Sequence, residues 1–514
     1  MVQRRTRTDL PPELRAHMER IRAKAQEYGL TFPEVVFEVL DFGTMNQIAA
    51  YGGFAVRYPH WRWGMEFERL SKRDAYGLGR IYEMVINNDP IYAYLQESNS
   101  LADQKLVMAH VFGHADFFKN NFWFSRTDRK MMNTMANHAT RVQRHVNKHG
   151  QEVVERFIDR CLSLEHLIDP FSVFGGPERD AEARAAEEAQ AFEPAKLPAK
   201  DYMDPFVNPR QEMENQRARF EARKKASKGR IPPRPTRDAL LFLMHHAPLE
   251  SWQQDILSIV REESYYFAPQ AMTKIMNEGW ATYWHSKLMT EHFVEAAEIV
   301  DYAEQHSGVL HMPAGSFNPY KIGVELWRDI ERRWDRGQHG PVWERMEGLG
   351  AKEATDDASK KGREQIFEVR RIYNDVNFVE EFLTEDFVQE HEMFRFRRDA
   401  GAPAQVRIVS RDFEQIKQAL LQRISNMGQP FMYVVDANYV NRGELYLAHQ
   451  WNGLDLDAAK AAEVLKALRA IWGRPVHVQA RLEDEMHLLT CAEPEGAVKR
   501  EKIGEKTSPP AHLI

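Results

Sequence analysis

The spacing of apolar residues divides the chain into a long helical part and a shorter mixed part. Through most of residues 11–396, apolar positions recur every three or four residues, which is the pattern of helices that bury one face. From residue 405 onward, short apolar runs alternate with helical segments. The pattern predicts a mainly α protein, with a large helical N-terminal domain followed by a small α+β domain.

The C-terminal pattern predicts four strands and two helices. The order is βαββαβ, at residues 406–409, 413–427, 431–435, 444–448, 458–472 and 476–480. Asn441, Arg442 and Gly443 are turn-forming residues between the two middle strands. This order predicts a ferredoxin-like sandwich, in which we find no catalytic cluster.

Two local features precede the most informative helix of the N-terminal part. Residues 90–95 are rich in Ile and Tyr, follow a turn sequence and predict a strand. Residues 98–100 offer an N-cap for a helix that carries His110 and His114. A strand leading into a di-histidine helix is the local layout of many zinc peptidases, so by analogy we expect a zincin-like domain. Residues 31–75, in contrast, predict short helices joined by turns.

Shifts in composition mark the expected domain boundaries. Residues 1–175 and 238–398 form the predicted helical core domain. Between them, residues 176–237 open with Gly and Pro, become dense in Lys and Arg, and predict an inserted, charged and mobile segment. Residues 400–492 form the predicted α+β domain, and residues 493–514 form a polar tail.

Charge and cysteine content argue against several classes of function. The 514 residues carry a net charge of −7, which gives no general attraction for nucleic acid or an anionic membrane. The two cysteines, Cys161 and Cys491, supply neither a disulfide framework nor a thiolate metal cluster, which fits a reducing cytosol. The basic N-terminus lacks the apolar core of a secretory signal, and no run of about 18 apolar residues predicts a membrane span.

Two histidines and a distant glutamate are the candidate metal ligands. His110 and His114 are four residues apart, so on a helix they share one face and could bind one ion. Glu278 is the expected third ligand, because two-histidine zinc sites take a carboxylate from a later helix. Small Gly279 and Ala281 would let that helix pack closely against the di-histidine helix. We expect the ion to be a divalent metal, with zinc favoured.

Three further residues are candidates for catalysis. In the usual zinc peptidase motif, the residue after the first histidine is a glutamate that acts as general base, but here it is Val111. A base could instead come from Glu262 or Glu263, although both also suit structural ion pairs. His285 lies two helical turns, or about 10 Å, beyond Glu278, so we expect it near the substrate or behind the ligands.

The sequence also allows a purely structural role for His110 and His114. The chain has 20 histidines, and pairs four residues apart arise by chance in long helices. His110 and His114 could be core residues hydrogen-bonded to Asp116, Glu152 or Glu278, since helical bundles contain such buried polar networks.

Five stretches of the sequence resemble the SpoVR family, the stage V sporulation protein R type. They are residues 107–121, 245–253, 274–285, 318–320 and 371–375. The resemblance implies a cytoplasmic bacterial protein that is linked to formation of the spore cortex or, in bacteria without such spores, to stress programmes. It also implies, as partners, a PrkA-type serine kinase and a von Willebrand A-like protein.

The sequence leaves two classes of function open. The protein could be a metal-dependent hydrolase that acts on a peptide, an amide or a peptidoglycan precursor. It could instead be a non-catalytic regulatory or scaffold protein with a structural metal or buried polar site. Val111 favours the second class, whereas the cluster of His110, His114, Glu278 and His285 favours the first.

Overall fold

The structure, a computed structural model, describes most of the chain. The described residues are 10–75, 83–175, 196–200, 203–227, 230–346, 355–356, 360–399 and 402–504. Much of the predicted inserted segment, at residues 176–195, and the end of the predicted tail, at residues 505–514, lie outside them. None of the helices in this described part is long and apolar enough to cross a membrane.

The described residues form α-helices over most of their length. In chain order these are α1 (Pro12–Glu27), α2 (Phe42–Ala50), α3 (Trp61–Ala75), α4 (Leu101–Asn120), α5 (Met131–His149), α6 (Gln151–Leu162), α7 (Ser172–Gly175), α8 (Asp204–Val207), α9 (Arg210–Ser227), α10 (Ala239–His246), α11 (Ser251–Met272), α12 (Lys274–Leu288), α13 (Ile299–Leu310), α14 (Pro319–Asp335), α15 (Gly340–Glu344), α16 (Gly362–Ile372), α17 (Asp375–Phe382), α18 (Glu385–Glu390), α19 (Phe413–Ile424) and α20 (Ala458–Trp472). Short 3₁₀ segments cover Phe122–Arg126 and Ala296–Glu298, and Met289–Phe293 is a π-helix.

The strands belong to three sheets. They are β1 (Val35–Leu40), β2 (Glu83–Ile86), β3 (Ile91–Gln96), β4 (Arg395–Asp399), β5 (Ala402–Ser410), β6 (Phe431–Tyr439), β7 (Glu444–Gln450), β8 (Val476–Leu482), β9 (Glu485–Cys491) and β10 (Lys499–Lys502). The sheet orders are β1-β3-β2, β4-β5 and β10-β9-β8-β7-β6. The last strand, β10, falls within the predicted polar tail.

The chain divides into two compact units. The first comprises Met1–Glu155 and Tyr266–Gly428, and the second comprises Arg156–Tyr265 and Gln429–Ile514. These bounds differ from those of the predicted domains, which stay a prediction. The predicted fold class is confirmed at its coarse level, because the chain is mainly helical with a small α+β sheet part near its C-terminus.

The core of the first unit forms around α4, α12 and α14. Trp280 on α12 and Trp327 on α14 are fully buried, with their ring centroids 5.0 Å apart. The indole N–H of Trp327 donates to the backbone carbonyl of Met276 at 3.1 Å. Aromatic burial of this kind supplies much of the apolar surface that holds a core together. The candidate ligand helices are therefore central to the unit.

The sheet beside this core corrects one expectation and confirms another. Within residues 31–75, where we predicted only short helices and turns, Val35–Leu40 forms strand β1. It pairs in parallel with β3, with Val35 opposite Ile91, and this distant partner is not visible in the local pattern. The predicted strand at residues 90–95 is confirmed as β3.

The five-stranded sheet of the second unit does not have ferredoxin-like order. Neighbouring strands run antiparallel except β7 and β8, which are parallel and joined through α20. The predicted first strand of the βαββαβ order is β5, and it pairs with β4 in the first unit instead. Because β5 pairs with the preceding strand β4 and is not part of the five-stranded sheet, the sandwich prediction was wrong in its topology.

Candidate metal centre

Helix α4 carries both histidines and is buried on nearly all sides. Its N-cap Ser100 accepts a hydrogen bond from the backbone N–H of Asp103 at 3.1 Å, as the sequence predicted. His110 and His114 lie on successive turns, with 4.6 Å between their ring centroids. Both side chains are buried, so their ring nitrogens must be matched by groups inside the protein.

Helix α12, which carries Glu278, is held at its start by a carboxyl group from another helix. Asp375 accepts hydrogen bonds from the backbone N–H groups of Ile275 at 2.8 Å and Met276 at 2.9 Å. These are two of the N–H groups that a helix leaves unsatisfied at its first turn. Asp375 therefore fixes where α12 begins and, through it, where Glu278 lies.

Small residues bring the neighbouring helices close to α12. A Cβ atom on Gly113 of α4 would lie 2.7 Å from the Cα atom of Ala281, so these two backbones are nearly in contact. A Cβ atom on Gly279 would lie 2.4 Å from the carbonyl carbon of Gly323 on α14. Ala281 therefore packs against the di-histidine helix as predicted, whereas Gly279 faces α14 instead.

The three predicted ligands converge on one point. The Nε2 atoms of His110 and His114 lie 3.8 and 3.5 Å from Oε2 of Glu278. One ligand atom from each residue falls within 4.8 Å of the other two. Two ligands of one tetrahedral zinc ion, at about 2.0–2.1 Å from the metal, are about 3.3 Å apart. The two separations from Glu278 are slightly wider than that, and the three ligand atoms lie within 4.8 Å of one another, so binding a shared ion would need the side chains to move closer together.

The other ring nitrogen of His114 fixes its tautomer. Nδ1 of His114 lies 2.9 Å from Oδ1 of Asn277, and an amide oxygen can only accept, so with the amide in this orientation Nδ1 carries the proton. The lone pair of Nε2 in neutral His114 then faces the carboxylate of Glu278. Two electron-rich atoms at this distance repel each other, so a proton or a metal ion must lie between them.

The Nδ1 atom of His110 belongs to a chain of three histidines that are in contact. Nδ1 of His110 lies 2.8 Å from Nδ1 of His285, and Nε2 of His285 lies 3.1 Å from Nδ1 of His306 on α13. Burial lowers the pKa of His285 well below its usual range, and the neighbouring His110, when protonated, lowers it further, so the His285 ring is neutral. When Nδ1 of His110 donates to His285, Nε2 of His110 presents its lone pair toward Glu278, as a metal ligand must.

The carboxylate of Glu278 is ionised. Burial by itself would raise the pKa of Glu278, but the neighbouring His110 and His114 rings, when protonated, and Lys274 hold it well below its usual range. Nζ of Lys274, one turn earlier on α12, lies 2.5 Å from Oε1. Oε2 thus belongs to an anionic group that faces the two histidines, which suits a cation between them.

Asp116 belongs to a separate polar network. Its carboxylate accepts hydrogen bonds from the backbone N–H of Thr31 at 2.8 Å and from the indole of Trp280 at 2.9 Å. It also pairs with Arg370 at 3.1 Å. Burial raises the pKa of Asp116 to about 6 despite these partners. The carboxylate ties α4, α12 and α16 together, which is a structural role.

The predicted catalytic residues have different positions. His285 contacts His110 on the side of that ring opposite to Glu278, which agrees with a place behind the ligands. Glu262 and Glu263 lie on α11 in the second compact unit, outside the His110, His114 and Glu278 group. Glu262 accepts a hydrogen bond from the Ser258 hydroxyl at 3.1 Å. The catalytic role of all three stays a prediction.

Several contributing residues were not predicted. Asn277 and Lys274 lie beside Glu278 on α12, at positions within one of the family-like stretches, so that stretch was a usable indication. Asp375 ends another such stretch, but nothing in the sequence shows that it caps α12. Nothing in the sequence indicated a role for His306, because its contact with His285 depends on how α13 packs.

Sequence similarity extends over almost the whole chain. The protein is 28% identical over 508 residues to the uncharacterized protein YcgB of Escherichia coli (strain K12), and the match covers 92% of each chain. No solved structure matches it. Residues 9–429 match the family described as SpoVR like protein, and residues 430–483 match the SpoVR-like C-terminal domain. These matches confirm the resemblance of the five sequence stretches, and the chain belongs to the SpoVR family.

Proposed function

We propose that His110, His114 and Glu278 hold a divalent metal ion, with zinc favoured, and that the protein is a metal-dependent hydrolase. Its substrate would be an amide bond in a peptide or a peptidoglycan precursor. The observation that carries the proposal is the pair formed by His114 Nε2 and Glu278 Oε2, 3.5 Å apart, while His114 Nδ1 donates to Asn277. A proton or a metal ion must lie between these two atoms, and the metal ion is the alternative that would also use the lone pair of His110.

Three protein ligands are the number found in catalytic zinc sites, which keep the fourth position for water or substrate. A bound ion of this kind polarises a carbonyl oxygen and lowers the pKa of a water molecule. Lys274 and Tyr320 indicate the side from which a substrate would approach. The Lys274 side chain is 54% exposed, and the Tyr320 ring stacks on His110 with 6.4 Å between centroids. Both can orient a polar substrate group there.

A second candidate is a regulatory or scaffold protein with a structural metal or buried polar site. Val111, at the position of the usual general base, is fully buried in the core. In the part of the chain that the structure describes, Glu278 is the one carboxylate of the candidate metal group. Without a base, hydrolysis would be slow, since proton transfer by a positioned base typically contributes about 10²–10⁴-fold.

The biological setting is part of the proposal. From the family resemblance, we place the protein in the bacterial cytoplasm, in spore cortex formation or a stress response. There it would act beside a PrkA-type serine kinase and a von Willebrand A-like protein. Charge gives no reason to add nucleic acid as a partner, because the net charge is −7.

Product analysis separates the two candidates. Zinc-loaded full-length protein and the His114→Ala variant are incubated with peptides and with soluble peptidoglycan fragments, and products are identified by mass spectrometry. The hydrolase proposal predicts new amine and carboxylate ends with the wild-type protein alone. Equal products from both proteins, or none from either, would contradict it. Metal binding without hydrolysis, together with capture of the kinase by the full-length protein, would support the scaffold.

A further inference from the structure

A cavity lies beside the C-terminal half of α12, and none of the candidate metal ligands lines it. Its volume is about 320 Å³, and its lining includes Ser286, Lys287, Tyr302, His306, Arg328 and Glu331. This volume falls within the range of about 300–1,000 Å³ that is usual for small-molecule sites. All of these residues belong to the first compact unit.

The cavity lining contains two positively charged side chains, Arg328 and Lys287. Arg328 pairs with Glu325 at 3.1 Å through Nη1 and donates to the Ser286 hydroxyl at 3.1 Å through Nη2. A guanidinium group has five N–H donors in a planar fork, so these contacts orient it and leave further donors for a ligand. Lys287 lies 3.6 Å from Glu291, a loose ion pair that holds the ammonium at the cavity. Glu325 and Glu291 offset the charges of Arg328 and Lys287, so the unused N–H donors of these two groups, and not a net positive charge, favour an oxyanion.

The acidic residue of the lining is already satisfied by other groups. Glu331 accepts a hydrogen bond from the Tyr283 hydroxyl at 2.6 Å and from Nε of Arg363 at 3.1 Å. Because Arg363 balances its charge, Glu331 adds no uncompensated negative charge to the lining.

Tyr302 adds a buried donor to the cavity lining. The residue is 8% exposed, and within the described ranges its hydroxyl has no hydrogen-bond partner. Burial raises the pKa of Tyr302 to about 12, so the hydroxyl keeps its proton at neutral pH. A buried hydroxyl without an acceptor is costly, and a bound oxyanion would supply that acceptor.

His306 separates this cavity from the metal ligands. Its ring contacts His285, with 5.3 Å between centroids, and His285 in turn contacts His110 at 5.0 Å. The cavity therefore lies on the Nδ1 side of His110, whereas Glu278 lies on the Nε2 side. A ligand in the cavity would be a neighbour of the metal group and not one of its ligands.

From these contacts we infer that the cavity is a binding site for a small molecule that carries an oxyanion, held by Arg328, Lys287 and Tyr302. Phosphate and carboxylate share this chemistry, and both match the planar donors of arginine. The inference does not depend on the proposed hydrolase activity, because none of these three residues belongs to the metal group.

Calorimetric titration of metal-free full-length protein tests the site. Inorganic phosphate is the probe in one arm and succinate in the other, so the two sources of an oxyanion are distinguished. At least one should bind with a millimolar or tighter dissociation constant, and Arg328→Gln should weaken that binding by about tenfold or more. Arg336→Gln, an exposed change on a residue outside the lining, should leave the affinity within about twofold.

Binding of neither anion below about 10 mM, or equal affinity in wild-type protein and Arg328→Gln, would overturn the inference. Should Arg328→Gln fail to fold, Tyr302→Phe removes a single hydroxyl and is expected to weaken binding by about fivefold. Unchanged affinity in that variant would then overturn it. The use of metal-free protein keeps the result separate from any failure of the metal proposal.

Discussion

The Nδ1 atoms of His110 and His285 lie 2.8 Å apart, so one of these rings donates a hydrogen bond to the other. In a metal site the donor is His110, because its Nε2 lone pair must face the ion. Partners of this kind orient the ligand, and losing one typically reduces metal affinity by about 10–100-fold. The His285→Leu variant should therefore bind zinc about 10–100-fold more weakly, as measured by competition with a chromophoric chelator.

His138→Leu provides the matched control for His285→Leu. His138 is also a buried histidine, but it lies on α5 and outside the candidate metal group. Its variant should retain the zinc affinity of the wild type. Equal affinity of the His285→Leu variant and the wild type would argue against a role for His285 behind the ligand.

Asn277 offers an independent test of the second histidine. Asn277→Leu removes the acceptor at 2.9 Å from Nδ1 of His114, so zinc affinity should fall by about 10–100-fold. Asn277→Asp keeps an oxygen acceptor at that position and should bind zinc within about threefold of the wild type or more tightly. The same affinity loss in both variants would mean that the effect is not due to the acceptor.

Gly279 tests the close packing that positions α12. In Gly279→Ala the new Cβ atom would lie 2.4 Å from the backbone of Gly323, and a backbone cannot rotate away as a side chain can. The free energy of unfolding should fall by about 1–3 kcal/mol or more, as measured by denaturant titration. Gly308→Ala on α13 meets no atom within 4 Å and should be neutral or stabilising by up to about 1 kcal/mol.

Asp375 should make stability depend on pH. Burial raises its pKa to about 7 from the ordinary value of 3.8, so between these values the folded state binds a proton that the unfolded state releases. This contribution to stability is complete below about pH 4 and is lost as the pH rises through 7. Between pH 5 and pH 8, the wild type should lose on the order of 2–3 kcal/mol that Asp375→Asn does not lose.

Denaturant titrations of both proteins at pH 5 and pH 8 measure this difference. The other titrating groups are common to the two proteins, so their contributions cancel in the comparison. Parallel pH dependence in the wild type and the variant would show that Asp375 is ionised throughout.

The ligand set could be predicted because each part left a local trace in the sequence. His110 and His114 have the spacing of one helix face, and Glu278 is followed by the small residues of a closely packed helix. The spacing of these residues could not show that Gly279 faces α14 and not the di-histidine helix. That direction depends on α14, whose Gly323 provides the matching surface only in the folded chain.

Long-range pairing was the main part of the fold that could not be predicted. Strand β1 owes its hydrogen bonds to β3, which follows about 50 residues later, and parallel pairing leaves no turn between the strands to indicate it. Strand β5 was recognised as a strand, but its partner β4 was not. The propensity of a segment to extend does not specify which neighbour it joins.

Metal analysis of purified full-length protein is the most direct test of the proposed centre. After removal of loosely bound ions, elemental mass spectrometry should find about one zinc or other divalent metal ion per chain. The combined His110→Ala and Glu278→Ala variant should contain less than about a tenth of that amount, while the exposed His166→Ala control should keep it. A wild-type protein that stays metal-free when zinc is supplied, or metal content equal in the wild type and the double variant, would contradict the metal centre.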